Sequence, residues 1–332
     1  MTEQKEDETM TTAPIDQPKR PLGQTAQQLP LVGLGCMGMS DFYGDANEAT
    51  NLETLNYALD IGVTHWDTAD MYGPFTNERL LSKVLAHRRD EVCLATKFGI
   101  MRNEEGEFLG INGKPAYVQA SCDASLKRLG IDQIDLYYQH RPDPEVPITE
   151  TVGAMAELVK AGKVAALGLS ECSAEQLRAA HAVHPIAAYQ GEYSIWTRVH
   201  EGDVLDVCAE LGITYVAYSP LGRGFLTGAI TSIDDLAEDD WRRNNPRFSE
   251  ANFQANLKLV AEVRAIAEVH GCTPAQVALA WVLARHERVV TIPGTTKKKR
   301  VAENAQATQI TLSSAEMERL AALPEASGAR YG

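Results

Sequence analysis

The sequence predicts an α/β fold, a (β/α)8 TIM barrel in which eight parallel strands alternate with helices around a closed sheet. Eight short apolar runs of strand type recur along the 332 residues. Several runs are almost continuously apolar or small, which is typical of parallel strands covered on both faces. Helical patterns lie between the runs, and a barrel of this kind commonly forms one domain of this length. A doubly wound open sheet is the alternative arrangement.

The predicted strands follow one another at intervals that leave room for a helix between most neighbours. They are LVGLG from Leu31, THWDTA from Thr64, VCLATKF from Val92, IDLYYQH from Ile134, VAALGLS from Val164, IAAYQ from Ile186, TYVAYS after Ile213, and VVTIP from Val289.

Helices are indicated by apolar residues at three- and four-residue spacing. One such face begins at Leu52 and is followed by Gly62, and another begins at Val152 and is followed by Gly162. A glycine directly after an apolar periodic segment is typical of a helix end.

Three segments fall outside this alternation. The polar residues 1–18 contain no apolar signal segment, and we expect a disordered leader ahead of a single barrel domain over residues 19–332. The segment RPLGQTAQQLPLVG from Arg20 predicts a small hairpin that closes the bottom of the barrel. The long connection that includes residues 223–253 predicts a functional lid or a disordered loop at the carboxyl-terminal face.

Composition restricts the class of partner. The net charge of −14 opposes binding to nucleic acid or to an anionic membrane, so any anionic ligand needs a local basic cluster. The six cysteines show no metal-ligand spacing and no disulfide framework, so we expect no metal and a cytoplasmic location with reduced thiols. The longest apolar runs are shorter than the ~18 residues of a membrane span.

The segment GLGCMG, residues 33–38, matches the spacing G-x-G-x-x-G of a dinucleotide-binding turn. That motif requires a helix after its third glycine and an acidic residue about 20 positions further on. Here a loop, MSDFYGD, follows, and Asp67 is too distant. A tight turn from strand to loop is the better interpretation.

Four polar residues follow three neighbouring strands. Asp67, Lys97 and His140 end the second, third and fourth runs, and Tyr72 begins the loop after the second. Each has an ordinary structural alternative: a turn or helix cap, a strand-end lysine, a core histidine and a packed aromatic. Because the carboxyl ends of barrel strands meet at one face, all four are expected to share one site.

The chemistry of these four groups indicates proton transfer to a carbonyl. A phenol is a weak acid at neutral pH, and the ammonium group of Lys97 is expected to lower the pKa of Tyr72 by stabilising the phenolate. Asp67 would keep Lys97 charged, and His140 would hydrogen-bond to the carbonyl oxygen that Tyr72 protonates. This set suits carbonyl polarisation combined with delivery of a group from a cofactor.

The motifs DTADMYG, LATKFG, YYQHRPD, GLSE, YQGEYS, YSPLGRG and IPGTTKKKRVAEN occur in this order. Over residues 20–325 they resemble the aldo-keto reductase family, in its general microbial and plant branch. The resemblance implies an NADP(H)-dependent oxidoreductase that reduces aldehydes or ketones to alcohols. It also implies a catalytic tetrad of Asp67, Tyr72, Lys97 and His140, with Tyr72 as general acid.

The resemblance further implies a cofactor site spread over the whole carboxyl-terminal face. Ser170 and Gln190 would bind the carboxamide, Tyr218 would stack on the nicotinamide, and Arg300 would bind the 2′-phosphate. The implied cofactor residues are Cys36, Met37, Asp67, Ser170, Gln190, Tyr218, Ser219, Pro220, Leu221, Gly222, Arg223, Gly224, Gly294, Thr296, Lys297, Arg300, Glu303 and Asn304.

The implied roles within that set differ in their chemistry. The loop of residues 219–224 would bind the pyrophosphate through its backbone N–H groups. Glu303 and Asn304 would hydrogen-bond the adenine amino group. On composition alone, the basic run TTKKKR can equally be a nuclear localisation signal or a solvated turn.

The chain departs from the family pattern at two places. Glu171 stands where many members carry asparagine, which puts one carboxamide contact in doubt. Gly294 stands where the mammalian branch has the lysine of Pro-Lys-Ser, so Thr296, Lys297 or Arg300 would take over the 2′-phosphate.

The substrate is expected to be a small carbonyl compound in an apolar pocket. Trp66, Tyr193 and Trp196 would line this pocket together with Tyr72 and His140, which suits aromatic or medium-chain aldehydes. Two other functions remain open. One is a nucleotide-binding regulatory subunit that resembles the potassium-channel β-subunits, and the other is a barrel lyase or isomerase without a nucleotide. The oligomeric state is not predicted.

Overall fold

The strands of the protein are short and recur along the whole chain, as the apolar runs predict. The structure is a computed structural model that describes residues 13–41, 47–238 and 240–330. The strands in chain order are β1 (Lys19–Pro21), β2 (Gln28–Pro30), β3 (Leu34–Gly35), β4 (His65–Asp67), β5 (Cys93–Phe98), β6 (Ile100–Arg102), β7 (Phe108–Ile111), β8 (Ile134–Gln139), β9 (Val164–Ser170), β10 (Ile186–Glu192), β11 (Thr214–Tyr218) and β12 (Val289–Thr291).

Helices alternate with the strands of the main sheet and surround it. In chain order they are α1 (Glu48–Asp60), α2 (Thr76–Arg88), α3 (Pro115–Leu129), α4 (Ile148–Lys160), α5 (Ala174–Val183), α6 (Val204–Leu211), α7 (Glu250–His270), α8 (Pro274–Ala284), α9 (Lys298–Gln306) and α10 (Ser314–Ala321). Gly62 and Gly162 follow α1 and α4 with positive φ angles, which confirms the predicted helix ends. None of the helices among the described residues is long and apolar enough to cross a membrane.

The predicted barrel is confirmed. Within the described residues, the main sheet contains eight parallel strands in the order β3, β4, β5, β8, β9, β10, β11, β12. Parallel bridges from Val32 to Thr291 and from Gly35 to Gly294 join the two edges. The sheet is therefore closed, which excludes the doubly wound alternative.

The glycines of the GLGCMG segment make this closure possible. A Cβ atom on Gly33 would lie 2.7 Å from the carbonyl oxygen of His65, and one on Gly35 would lie 2.7 Å from that of Ile292. A side chain at Gly33 would push β3 away from β4, and one at Gly35 would push β3 away from the end of β12, where the barrel closes. A 3-10 turn, Met37–Met39, follows, so the segment is a tight turn rather than a dinucleotide fingerprint.

Apolar side chains form two layers. One layer lies inside the barrel and includes Leu136, Val216 and Val290, and the other lies between the sheet and the helices. The predicted hairpin of β1 and β2 is present, and its Leu22 and Leu29 pack into the inner layer. The hairpin therefore covers the bottom of the barrel, opposite the carboxyl ends of the strands.

Several segments differ from the prediction or extend it. Residues 1–12 of the expected leader lie outside the described residues. Residues 13–18 lie along the barrel, where Ile15 donates a backbone hydrogen bond to Ile61 and Gln17 accepts one from Val32. A second hairpin, β6 with β7, follows β5 and was not predicted. In the described parts of the long connection, residues 223–238 and 240–249 contain short 3-10 turns, and residues 250–253 are already part of α7.

Candidate active site

The register of the parallel sheet brings three of the four tetrad residues to one edge. Asp67 is the last residue of β4, and Lys97 lies one residue before the end of β5. His140 directly follows β8, and its N–H group donates to the carbonyl of Phe98 at the end of β5 (2.8 Å). The predicted grouping therefore exists, and it depends on β4, β5 and β8 being neighbours.

A buried ion pair lies at the centre of this edge. Lys97 is 0% exposed, and its ammonium group donates to a carboxylate oxygen of Asp67 and to the carbonyl of Thr68 (2.8 Å). The same nitrogen lies 3.4 Å from the hydroxyl of Tyr72. The amide of Gln190 donates to the other oxygen of Asp67 (2.7 Å). Both carboxylate oxygens are therefore hydrogen-bonded, as a buried charge requires.

Burial and charge act in opposite directions on the pKa values of Lys97 and Tyr72. Burial alone lowers the pKa of Lys97, but the charges and hydrogen bonds of Asp67 and Tyr72 outweigh it, so its pKa is above the ordinary value. Burial raises the pKa of Tyr72, and Lys97 only partly opposes this. The expectation that Lys97 brings the pKa of Tyr72 below its ordinary value is therefore wrong for the net effect. The structure favours a charged lysine beside a neutral phenol.

His140 is a neutral imidazole. Burial, followed by the positive charges of Arg141 and Lys97, holds its pKa well below the ordinary value. Its ring packs edge-on against the ring of Tyr72, with 5.9 Å between the centroids. Its Nδ1 atom has no hydrogen-bond partner among the described residues. A neutral imidazole in this place can hydrogen-bond to a substrate, and it does not repel the neighbouring charges of Lys97 and Arg141.

The loop that carries Tyr72 is held from both sides. The carboxylate of Asp41 accepts a hydrogen bond from the N–H group of Gly73 (3.0 Å) and forms an ion pair with Arg102 of β6. Arg102 also donates to the carbonyl of Met71 (2.9 Å). The unpredicted hairpin thus contributes to the position of the phenol.

The implied carboxamide residues also lie at this edge. Ser170 and Gln190 are paired across β9 and β10, and Arg141 donates to the hydroxyl of Ser170 (3.2 Å). Tyr218 is the last residue of β11 and stands opposite Glu192 of β10. The polar side chains at the ends of β9 and β10 suit the amide group of a ligand, and Tyr218 at the end of β11 suits a flat aromatic ring of the same ligand.

The turn after β3 supports the same edge. The backbone N–H group of Cys36 donates to the carbonyl of Asp67 (2.9 Å), and the side chain of Cys36 is fully buried. Met37 is only partly buried. Of these two residues, the structure leaves Met37 the more accessible to a ligand.

The loop of residues 219–224 is a turn with hydrogen bonds of its own. The N–H group of Gly222 donates to the carbonyl of Ser219, and that of Gly224 donates to the carbonyl of Leu221, both at 3.0 Å. Both N–H groups are therefore used inside the loop itself. Arg223 is buried, and its guanidinium group lies 4.5 Å from the ring centroid of Trp241. Binding of a pyrophosphate by the loop stays a prediction.

The basic run lies at the beginning of α9, beyond the end of β12. Lys297 and Arg300 are exposed, whereas Lys298 forms an ion pair with Glu53 (3.4 Å). Gly294 is exposed and Thr296 is partly buried. Exposed basic side chains next to helix N–H groups suit a phosphate.

The implied adenine residues lie one turn further along α9. The carboxylate of Glu303 accepts a hydrogen bond from the hydroxyl of Thr273 (2.8 Å), the residue that caps α8. Asn304 is buried. Glu303 thus has a structural role in addition to any contact with adenine.

The three aromatic residues expected in the substrate pocket are each 0% exposed. Trp66 donates to the carbonyl of Val63, and Tyr193 packs on Trp281. Trp196 packs on Phe225. Since all three are part of the core in this conformation, they do not line an open pocket.

Several residues at this edge carried no sequence signal. Arg141 orders Ser170, Arg102 supports the loop of Tyr72, and Arg330 from the carboxyl-terminal segment contacts Tyr218. These contacts span 29, 31 and 112 positions along the chain. The one available signal was Glu171, whose departure from the family pattern coincides with an ion pair to Arg330.

Comparisons with known proteins agree with the fold. Residues 31–325 match the sequence profile of the Aldo/keto reductase family. An aldo-keto reductase of Schizosaccharomyces pombe, whose name specifies NADP(+), is 44% identical over 322 residues, which cover 95% of this chain and 94% of that protein.

Solved structures show the same similarity. Glycerol dehydrogenase from Gluconobacter oxydans is 28% identical with a TM-score of 0.82 and covers 94% of each chain. A thermostable aldo-keto reductase in complex with the inhibitor epalrestat is 32% identical with a TM-score of 0.75, over 92% of this chain and 98% of that one. An aldo/keto reductase from Klebsiella pneumoniae in complex with NADP and acetate is 28% identical with a TM-score of 0.72, over 92% and 95%.

The closed barrel, the polar groups at its carboxyl-terminal edge and these relatives define a barrel oxidoreductase. The chain belongs to the aldo/keto reductase family. None of these relatives supports the alternative of a regulatory channel subunit.

Proposed function

We propose that the protein is an NADPH-dependent carbonyl reductase that converts aldehydes or ketones to alcohols, with Tyr72 as general acid. One observation carries the proposal: the ammonium group of Lys97 contacts both Asp67 and the hydroxyl of Tyr72, with His140 beside the phenol. This arrangement can supply a proton and stabilise what remains after the proton has left.

Tyr72 acts as the acid because its phenol is neutral in the folded protein. As the carbonyl oxygen becomes an alkoxide, the O–H bond of Tyr72 breaks and its proton passes to that oxygen. The phenolate that remains is stabilised by Lys97, whose charge is in turn balanced by Asp67. His140 donates a hydrogen bond to the same carbonyl oxygen and orients it.

The cofactor supplies the hydride that the carbonyl carbon receives. The residues of this chain that would hold its nicotinamide end are Ser170, Gln190 and Tyr218, which fit a planar amide and an aromatic ring. Lys297 and Arg300 would bind the 2′-phosphate, since both are exposed at the beginning of α9. The name of the yeast relative and the NADP complex of the Klebsiella protein support NADP for this chain as well.

The substrate is a small carbonyl compound that lies between Tyr72 and His140. Trp66, Tyr193 and Trp196 are not part of this proposal because all three are 0% exposed and belong to the apolar core between the sheet and the helices. We place the reaction in the cytoplasm, a compartment that suits the six free cysteines.

A spectroscopic assay tests the proposal. The purified protein is incubated with NADPH and a panel of aldehydes and ketones, and the loss of NADPH absorbance and the alcohol product are both measured. We expect turnover of at least one carbonyl class, with NADH much less effective. NADPH binding without turnover of any carbonyl would favour a regulatory role, and no binding of either nucleotide would favour a barrel enzyme that uses none.

A further inference from the structure

The carboxyl-terminal segment, residues 324–330, lies against the loop after β10, the connection after β11 and α7. The N–H group of Ala326 donates to the carbonyl of Trp196 (3.1 Å). The side chain of Asn256 exchanges two hydrogen bonds with the backbone of Ser327, at 2.8 and 3.1 Å. The side chain of Asn245 donates to the carbonyl of Arg330 (3.1 Å). The segment is thus attached along its length.

Gly328 allows this close approach. Its φ angle is +99°, and a Cβ atom there would lie 2.8 Å from the backbone of Pro246. A residue with a side chain is strained in that conformation and collides with backbone. Gly328 is therefore needed to bring Arg330 to the edge of the barrel.

Arg330 joins the ends of three neighbouring strands. Its guanidinium group donates to Glu171, which directly follows β9, at 2.8 Å, and to Glu192, the last residue of β10, at 2.7 Å. It also donates to the hydroxyl of Tyr218, the last residue of β11, and lies 5.6 Å from that ring's centroid. One side chain thus fixes the aromatic ring proposed to stack on the nicotinamide.

Among the described residues, the side chains that contact Arg330 and its two carboxylate partners carry more positive than negative charge. Glu192 is 1% exposed, and it also contacts Arg247 (2.9 Å) and Arg223 (3.5 Å). With Glu171, the network has three guanidinium groups and two carboxylates. The charge of Arg141 also acts on Glu171. Loss of Arg330 would reduce the positive excess by one charge and leave Glu171 without its bidentate partner.

Glu171 is ionised in this network. Burial by itself raises the pKa of a carboxyl group, but hydrogen bonds with His200 and Arg330 and the charge of Arg330 outweigh burial and hold the pKa of Glu171 below its ordinary value. Arg330 therefore forms its ion pair with an ionised carboxylate, that of Glu171, next to Ser170.

From these contacts, and resting on the proposed function, we infer that Arg330 is a positioning residue for the nicotinamide end of the site. It holds the ring of Tyr218 in place, and its charge favours the neutral reduced nicotinamide over the cationic oxidised one. The carboxyl-terminal segment thereby biases the protein toward binding NADPH, the form that a reductase consumes.

The test compares the dissociation constants of NADP⁺ and NADPH, measured by quenching of intrinsic tryptophan fluorescence. In Arg330→Met, the ratio of the two constants should shift roughly tenfold in favour of NADP⁺, because one positive charge near the proposed nicotinamide site is lost in a medium of effective dielectric constant about 20. Arg330→Lys should restore most of the ratio because it restores the charge. Gly328→Ala, which displaces the segment without altering a charge, should shift the ratio in the same direction as Arg330→Met.

Arg319→Met is the matched control. Arg319 is 54% exposed and pairs with Glu262 on the helical surface, so its loss should leave the ratio unchanged. If Arg330→Met and Gly328→Ala weaken both forms equally, or weaken neither, Arg330 has a structural role only and the inference fails. If the wild-type protein binds neither form, the proposed function itself fails, which the same titration shows before any variant is compared.

Discussion

Tyr72 shows how two opposing effects decide the state of a single side chain. Burial raises the pKa of its phenol, and Lys97 at 3.4 Å lowers it by a smaller amount. The phenol therefore keeps its proton at neutral pH. Lys97 matters mainly after the proton has left, when a buried phenolate needs a cation.

Replacement of Tyr72 by phenylalanine tests this role. We expect Tyr72→Phe to lower kcat by at least the ~10²–10⁴ associated with general acid catalysis. NADPH affinity and the thermal midpoint should change little, because only a hydroxyl is removed. Steady-state kinetics under conditions where chemistry limits the rate provide the measurement.

Tyr137→Phe is the control for that variant. The hydroxyl of Tyr137 is buried and has no hydrogen-bond partner among the described residues. Its removal should leave kcat unchanged. If Tyr72→Phe retains more than about a tenth of the wild-type rate, Tyr72 is not the acid.

The ion pair of Lys97 and Asp67 leads to a prediction about coupling. Lys97→Met should reduce kcat and destabilise the fold by about 3–5 kcal/mol, because it leaves a buried carboxylate without its cation. Since Lys97 lowers the pKa of Tyr72, its loss should move the alkaline limb of the pH–rate profile to higher pH.

The double variant decides whether the two groups act together. Adding Asp67→Asn to Lys97→Met removes the unpaired charge, so the double variant should lose less stability than the sum of the single losses. Urea unfolding and pH–rate profiles are the measurements. If the losses of stability and of rate in the double variant both equal those expected from the single variants acting independently, the two groups do not form one connected network.

At the scale of elements, close packing of neighbouring strands depends on a glycine in β9. A Cβ atom on Gly168 would lie 2.3 Å from a ring carbon of Tyr138, which is fully buried in β8. The sheet therefore has no room for a side chain at this position. Any larger residue must displace the ring.

Two glycine-to-alanine variants in adjacent elements make this testable. Gly168→Ala should destabilise the protein by about 1–3 kcal/mol through overpacking. Gly153→Ala in α4 should stabilise it by about 0.5–1 kcal/mol, because alanine is the better helix former and nothing lies within 4 Å of the added methyl group. Urea denaturation of both variants measures the difference, and equal midpoints would contradict the packing argument.

The long connection after β11 shows how distant segments stabilise one another. Trp196 lies in the loop that follows β10, and Phe225 and Phe248 of the long connection pack against its ring. Arg247 of the same connection forms an ion pair with Glu192 at the end of β10. An irregular segment is thus held by a core and an ion pair of its own. This packing accounts for the burial of Trp196.

At the scale of the whole molecule, the net charge of −14 opposes the approach of an anionic nucleotide. The basic run at the beginning of α9 counteracts this field locally. The guanidinium group of Arg300 can bind a phosphate through two hydrogen bonds, whereas a lysine offers a point charge.

Arg300→Ala should therefore raise the KM for NADPH by about tenfold or more, in keeping with the loss of a charge-assisted bidentate contact. The KM for NADH should hardly change, and NADPH binding should become less sensitive to salt. Lys160→Ala is the matched control, since it removes one positive charge from a side chain that is 79% exposed at the end of α4. Equal losses for NADPH and NADH would mean that the 2′-phosphate binds elsewhere.

The sequence by itself determined the elements and the chemistry. Each barrel strand corresponds to an apolar run in the sequence, and Asp67, Lys97 and His140 lie at the ends of three such runs. The strand order of a barrel is enough to bring these three residues together. The order of the motifs also determined the family, which the comparisons confirmed. The NADP preference and the role of each cofactor residue stay predictions.

Only the tertiary structure decided which groups are buried and which distant groups meet. Trp66, Tyr193 and Trp196 have the composition of a pocket, yet they lie in the core, because burial depends on what packs over a residue. The pKa of Tyr72 is raised rather than lowered, because desolvation is a property of the whole surrounding fold. Arg330 reaches Tyr218 across 112 positions, and no local pattern records such a contact.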